Sequence, residues 1–150
     1  MKKAIALVLS LCLIFSLAAC SGGSGAKAAP AEVYTYEVDS VEAGYEGDCI
    51  TTDSYVLVLN SDGSYTLIKN TFVNQISGVI VFFTKTTFNG TYTAGDASDG
   101  VKTVTLEAPT SGTQNMNGGV TTSAEDAEIL ADFSYSSITV DANVGTLSLG

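Results

Sequence analysis

SYVLVLNSDGSYTLIKN, Ser54 to Asn70, is the stretch that decides the fold. Two runs rich in Val, Leu, Ile, Tyr and Thr flank Asn60-Ser61-Asp62-Gly63. Such side chains suit a pleated, half-buried surface, whereas Asp-Gly supplies the positive φ that a tight turn needs. The pattern predicts a hairpin with strands at about 54–60 and 64–69.

The period of two extends outward in both directions. In VYTYEVDSV, Val33 to Val41, one face carries Tyr34, Tyr36 and Val38 and the other Thr35, Glu37 and Asp39. The following EAGYEGDCITTD, residues 42–53, reads as irregular. GVIVFFTKTTFNGTYTA predicts two strands, near 78–85 and 88–93, turning around Asn89-Gly90. GDASDG, residues 95–100, is a turn, and VKTVTLEA is a strand ended by Pro109, which cannot donate to a ladder. Residues 110–123 are mostly Gly, Ser, Thr, Asn and Gln and predict a long loop. TSAEDAEILADF then offers Thr122 or Ser123 as an N-cap, so one short helix is expected near 123–131. FSYSSITV and VGTLSLG predict two last strands, with a bulge near Ser136-Ser137 where the parity shifts.

About eight short strands with hairpin punctuation make an all-β antiparallel meander, a small barrel or a sandwich. Pairing of Thr146–Leu149 with the first strand would close the sheet and remove both edges. The phrases DGSYTL and NGTYTA, at 62–67 and 89–94, resemble the meanders of lipocalin-like and other calycin barrels. The Gly-x-Trp entry motif of lipocalins is missing, since the chain has no Trp.

The first thirty residues have a different logic. Lys2 and Lys3 precede an apolar run, Ala4 to Ala19, that is too short for a comfortable membrane span and reads as a secretory signal. It ends in Leu17-Ala18-Ala19-Cys20, which resembles the lipobox of bacterial lipoproteins. That resemblance implies a signal peptide over 1–19 and a lipid on Cys20, the mature N-terminus, at the extracytoplasmic face of a bacterial membrane. Two acyl chains meet the two-signal requirement for stable anchoring. Ser21 to Ala29 holds no large apolar residue, so 20–32 reads as the lipidated Cys and a flexible tether, and 33–150 as the all-β domain. Cys12 lies in the removed segment.

Composition closes many functions. Beyond residue 19 only Lys27, Lys69, Lys85 and Lys102 oppose sixteen Asp and Glu, and the chain has no His and no Arg. Nothing here could neutralise phosphates, so nucleic acid is not an expected partner. Without His there is no Ser-His-Asp or Cys-His pairing and no His-based zinc site, and no Gly-rich phosphate loop is present. No cofactor or metal is expected. Cys49 sits beside Asp48 and near Glu46, which oppose the lowered pKa a nucleophilic thiol needs. The carboxylates at Asp62, Asp96, Asp99, Glu125, Asp126 and Glu128 fall in turns or at a helix start, where local hydrogen bonding accounts for them.

Two sets of residues stay as candidates. Tyr34, Tyr36, Tyr55, Tyr65 and Tyr92 fall in strands, and phenol rings at a barrel mouth would suit an apolar or carbohydrate ligand. Val56 and Val58, with Ile80 and Phe82, make two central strands apolar on both faces. That pattern needs cover, either from within the chain (Ile129 and Leu130 of the 110–130 segment, or a second sheet) or from a partner or second copy. The expectation is a non-enzymatic, lipid-anchored domain binding a small molecule or an envelope protein. The alternatives are a structural or interaction module of the cell surface and, behind both, a carboxylate-based hydrolase.

Overall fold

A computed structural model describes residues 31–44, 47–75, 80–116, 120–122 and 127–149. The signal-like segment 1–19, Cys20, the tether up to Pro30 and the N-cap candidate Ser123 lie outside the described residues. The described chain is all-β with one short helix. Its strands are β1 (Glu32–Gly44), β2 (Gly47–Leu59), β3 (Ser64–Gln75), β4 (Ile80–Ala94), β5 (Val101–Leu106), β6 (Ser111–Met116) and β7 (Val120–Thr122). The helix α1 (Ala127–Ala131) precedes β8 (Ser137–Asp141) and β9 (Thr146–Leu149).

The central hairpin forms as its sequence requires. Leu59 faces Tyr65 across β2 and β3, and Gly63 takes a φ of +83°. Asp62 Oδ1 accepts the Ser64 N–H at 2.9 Å, which holds the turn from inside.

The pairings β1-β2-β3-β4-β5-β8-β9 close into a barrel of seven strands. As expected, the last strand meets the first. It runs parallel to it, however, through one register pair, Thr35 with Thr146, so the sheet is mixed and not a purely antiparallel meander. The reason is arithmetical: strands that alternate up and down around a ring of odd number must leave one parallel seam.

β5 and β6 share one edge of β4. β6 pairs with Thr84–Asn89 and β5 with Tyr92–Ala94, and the kink between them contains Pro109. The kink is tied down, with the Glu107 N–H donating to Thr91 O at 2.9 Å and the Thr110 N–H to Asn89 O at 2.8 Å. On its far edge β5 pairs with β8, whereas β6 pairs with β7. The ring is therefore closed only on the β5 side of the kink. On the other side β1–β4, β6 and β7 form an open sheet whose inner face continues the barrel interior.

The closed part is filled. Tyr34, Leu57, Leu59, Tyr65, Leu67, Phe88, Val104, Leu106, Ile138, Val140 and Leu147 are buried together, and α1 adds Ile129. The helix seats over Gly112, where a Cβ would lie 3.3 Å from Leu130 and 3.2 Å from the Thr87 carbonyl.

Four sequence expectations are corrected. Asn89-Gly90 is not a turn, because β4 runs unbroken through it. A Cβ on Gly90 would sit 2.7 Å from the Tyr65 ring, so the glycine admits that ring, whose hydroxyl donates to Glu107 O at 3.0 Å. Residues 42–53 are strand for the most part, since β1 and β2 stay paired out to Gly44 and Gly47. The expected loop at 110–123 contains the β6–β7 hairpin. Phe133 and Tyr135 are not strand: β8 begins at Ser137, and the parity shift marks where the chain leaves the sheet.

Candidate functional site

Along the ladders the inner face changes character row by row. The row Tyr34, Leu57, Leu67, Phe88 is buried and apolar. The next is Tyr36, Tyr55, Lys69, Thr86 and Gln114, followed by Val38, Asp53, Thr71, Thr84 and Met116. Where the barrel gives way to the open sheet, the interior becomes hydroxyl, amide and charge. A cleft of about 370 Å³ opens there, lined by Lys69, Thr71, Thr84, Thr86, Phe88, Gln114, Asp132, Ser134 and Tyr135.

The polar wall is internally bonded. Lys69 Nζ lies 3.3 Å from Asp53 Oδ2 and 5.8 Å from the centre of the Tyr55 ring. Thr71 Oγ1 donates to Asp53 Oδ1 at 2.5 Å, and Gln114 Nε2 to Thr86 Oγ1 at 3.3 Å. Asp53 and Asp132 set two carboxylates against the one Lys69 ammonium, so the site as a whole does not favour an anion.

The floor is a set of aromatic rings. After α1 the chain inserts Phe133 and Tyr135 into the barrel mouth, leaving Asp132 and Ser134 on the cleft wall. Phe133 stacks on Tyr65 at 6.2 Å and meets Phe88 edge-on at 5.3 Å. Tyr135 meets Phe133 and Tyr55, each edge-on at 5.7 Å, and Tyr36 adjoins Tyr55 at 6.0 Å. Such pairs contribute about 0.5–1.5 kcal/mol each beyond the area they bury. Burial, and then a hydrogen bond with Tyr135, pushes the Tyr55 phenol well above its ordinary pKa, so it stays protonated under the cleft.

Of the five candidate tyrosines, Tyr36 and Tyr55 adjoin the cleft. Tyr34 and Tyr65 are core residues, and burial raises both phenols to about 12. The Tyr34 hydroxyl donates to Glu32 at 2.9 Å beside the Lys102–Glu32 ion pair, at a smaller cleft of about 210 Å³. Tyr92 donates to Asn60 O at 3.0 Å, at the closed end. Cys49 is half-buried on β2, in register with Glu42 and Gln75.

The four apolar residues of the expected partner face do not form one patch. Val56 is buried and Val58 half-buried on the outward parity of β2. Phe82, 37 % exposed, pairs with Val73 on the inward parity with Thr84, Thr86 and Phe88. A register shift between Val73 and Asn74 separates it from Ile80, whose side chain lies outside the described residues.

Lys69, Asp53, Gln114 and Asp132 were not among the sequence candidates. The signal for two of them was present: Lys69 continues the core parity of Tyr65 and Leu67, and Asp53 that of Tyr55, Leu57 and Leu59. A charge on the buried parity of a confident hairpin marks where a core ends. Among the described residues no group of three His, Cys, Asp or Glu is arranged to hold a metal ion, and no helix is long and apolar enough to cross a membrane. No family model matches this chain, and neither a curated protein nor a solved structure is significantly similar to it.

Proposed function

We propose that this chain is a lipid-anchored extracytoplasmic binding domain that takes a small carbohydrate or similar polyol in the cleft at the barrel mouth. One observation carries the reading: hydroxyls of Thr71, Thr84, Thr86 and Ser134 and the amide of Gln114 surround a floor made by Phe88 and Tyr135. A sugar presents hydroxyls at its rim and C–H groups on its faces, and this lining answers both. The Lys69–Asp53, Thr71–Asp53 and Gln114–Thr86 bonds leave further donors and lone pairs over, which a purely apolar ligand would shut off from water. Lys69 and Asp53 are bound to each other, an arrangement that shapes a wall and orients a ligand without chemistry on it. Anchoring rests on the Leu17–Cys20 box.

A second reading, an interaction module without a small-molecule ligand, draws on Tyr36, Val38, Phe82 and Met116. Each is more than a third exposed, and all lie on the inward parity around the cleft.

The test is saturation-transfer NMR of the full chain in detergent micelles against a panel of neutral mono- and disaccharides. Saturating the aromatic protons of the protein, those of Tyr135 and Phe88 among them, should attenuate the signals of at least one sugar, and Gln114→Leu should weaken its binding about tenfold. A panel giving no transfer at millimolar sugar would overturn the carbohydrate reading. Cys20→Ala tests the anchor separately: it should leave an unprocessed precursor with no acyl adduct by mass spectrometry.

A further inference from the structure

β1 has an edge that nothing among the described residues pairs with. It is laddered to β2 along its whole length, but its other side meets β9 only at Thr35. Thr35 donates its N–H to Gly145 O at 3.0 Å, and this fixes the phase of the strand. By the alternation of an antiparallel ladder, the N–H and C=O groups of Glu37, Asp39 and Val41 point to the open side. Those of the residues between them bond to β2.

We propose that this edge accepts an extended basic segment of another protein as an added strand. A row of unpaired backbone groups is a template for strand addition, and the side chains around it state what kind of strand fits. Glu37 and Asp39 are exposed on the outward parity. Tyr36 and Val38, 36 % and 40 % exposed, lie on the inward parity. The matching segment alternates Lys or Arg with apolar residues. A chain of net charge −10 draws such a segment in from a distance. A second copy fits worse: two β1 edges meeting antiparallel near Asp39 would set carboxylates directly opposite carboxylates. Tyr36 adjoins both the cleft and this edge, but strand addition engages the backbone on the side of β1 away from β2, so the sugar panel does not test it.

The experiment uses the full chain in micelles and a short labelled peptide of alternating Lys and Val, followed by fluorescence anisotropy and backbone hydrogen exchange. Peptide binding should slow exchange at Glu37, Asp39 and Val41 while their even-numbered neighbours, already bonded to β2, change little. Val41→Pro removes one edge donor and keeps both carboxylates and the β2 ladder. Because Val41 is 68 % exposed, little packing is lost. Affinity should fall about tenfold. Should that variant misfold, Glu37→Lys is the substitute, again with about a tenfold loss. A peptide of alternating Glu and Val should not bind. Unchanged affinity in a folded Val41→Pro protein would mean charge-driven adhesion without strand addition. Dimerisation that rises with concentration and is lost in Val41→Pro would make the occupant a second copy. Either result overturns the proposal.

Discussion

Replacing Phe133 by Ala probes the packing that separates a filled barrel from an open cleft. Phe133 is partly buried and touches three rings: Tyr65 at 6.2 Å, Phe88 at 5.3 Å and Tyr135 at 5.7 Å. A fully buried Phe→Ala change costs about 3–5 kcal/mol, and partial exposure takes off roughly a third to a half of that. Three ring pairs at about 0.5–1.5 kcal/mol each return part of the difference. The expected loss is about 2–4 kcal/mol. Urea unfolding of the full chain in micelles, followed by near-UV circular dichroism, reads it as a lower midpoint at constant slope. Phe133→Leu keeps most of the apolar volume and loses the ring geometry, so about 1–2 kcal/mol is expected there. The two variants together separate burial from ring contact. A loss below about 1 kcal/mol in the Ala variant would refute the insertion of the 132–135 segment and would put Phe133 on a solvent-facing strand.

Gly90→Ala should cost about 1–3 kcal/mol by urea unfolding, because its Cβ falls 2.7 Å from a Tyr65 ring that is 1 % exposed, and Tyr65→Leu in the same chain should recover part of it. Gly63→Val should lower stability by about 1–3 kcal/mol, since a β-branched residue resists a φ of +83°; an unchanged melting midpoint would refute the turn. Alkali should weaken the fold: Tyr34 and Tyr65 hold their protons to about 12 in the folded chain and release them near 10 when unfolded. The folded state then binds more protons, so stability is full below pH 10 and falls between 10 and 12, by up to about 2–3 kcal/mol per phenol. Tyrosinate absorbance rising in step with loss of near-UV signal checks this, and ionisation of all tyrosines near pH 10 without unfolding would contradict it.

The sequence carries the strands wherever burial falls on one face. At Ser54–Asn70 the parity, the turn residues and the observed register agree. It misleads where a residue serves a distant neighbour. Asn89-Gly90 has the composition of a turn, yet its glycine answers to Tyr65, which is 25 positions earlier and across a strand pair. Ser111–Met116 has no apolar alternation because its inward positions, Gly112 and Gln114, meet a helix and a cleft instead of a core. The cleft was half legible for the same reason. Parity places Lys69 and Asp53 inward, but the arrival of Asp132, Ser134 and Tyr135 depends on a chain excursion that no local pattern records.

The unequal joints of β1 have a mechanical consequence. β1 begins at Glu32, directly after the segment that leads back to Cys20, so a pull from an anchored end enters the domain along the strand axis. Thirteen register pairs with β2 lie across that axis, from Glu32–Leu59 to Gly44–Gly47, and would share the load in shear. The seam with β9 contributes one pair. Tension would therefore part β1 from β9 while the β1–β2 ladder still held, uncoiling the ring without extracting the strand. A domain built this way yields first at a joint of one register pair and spares its core.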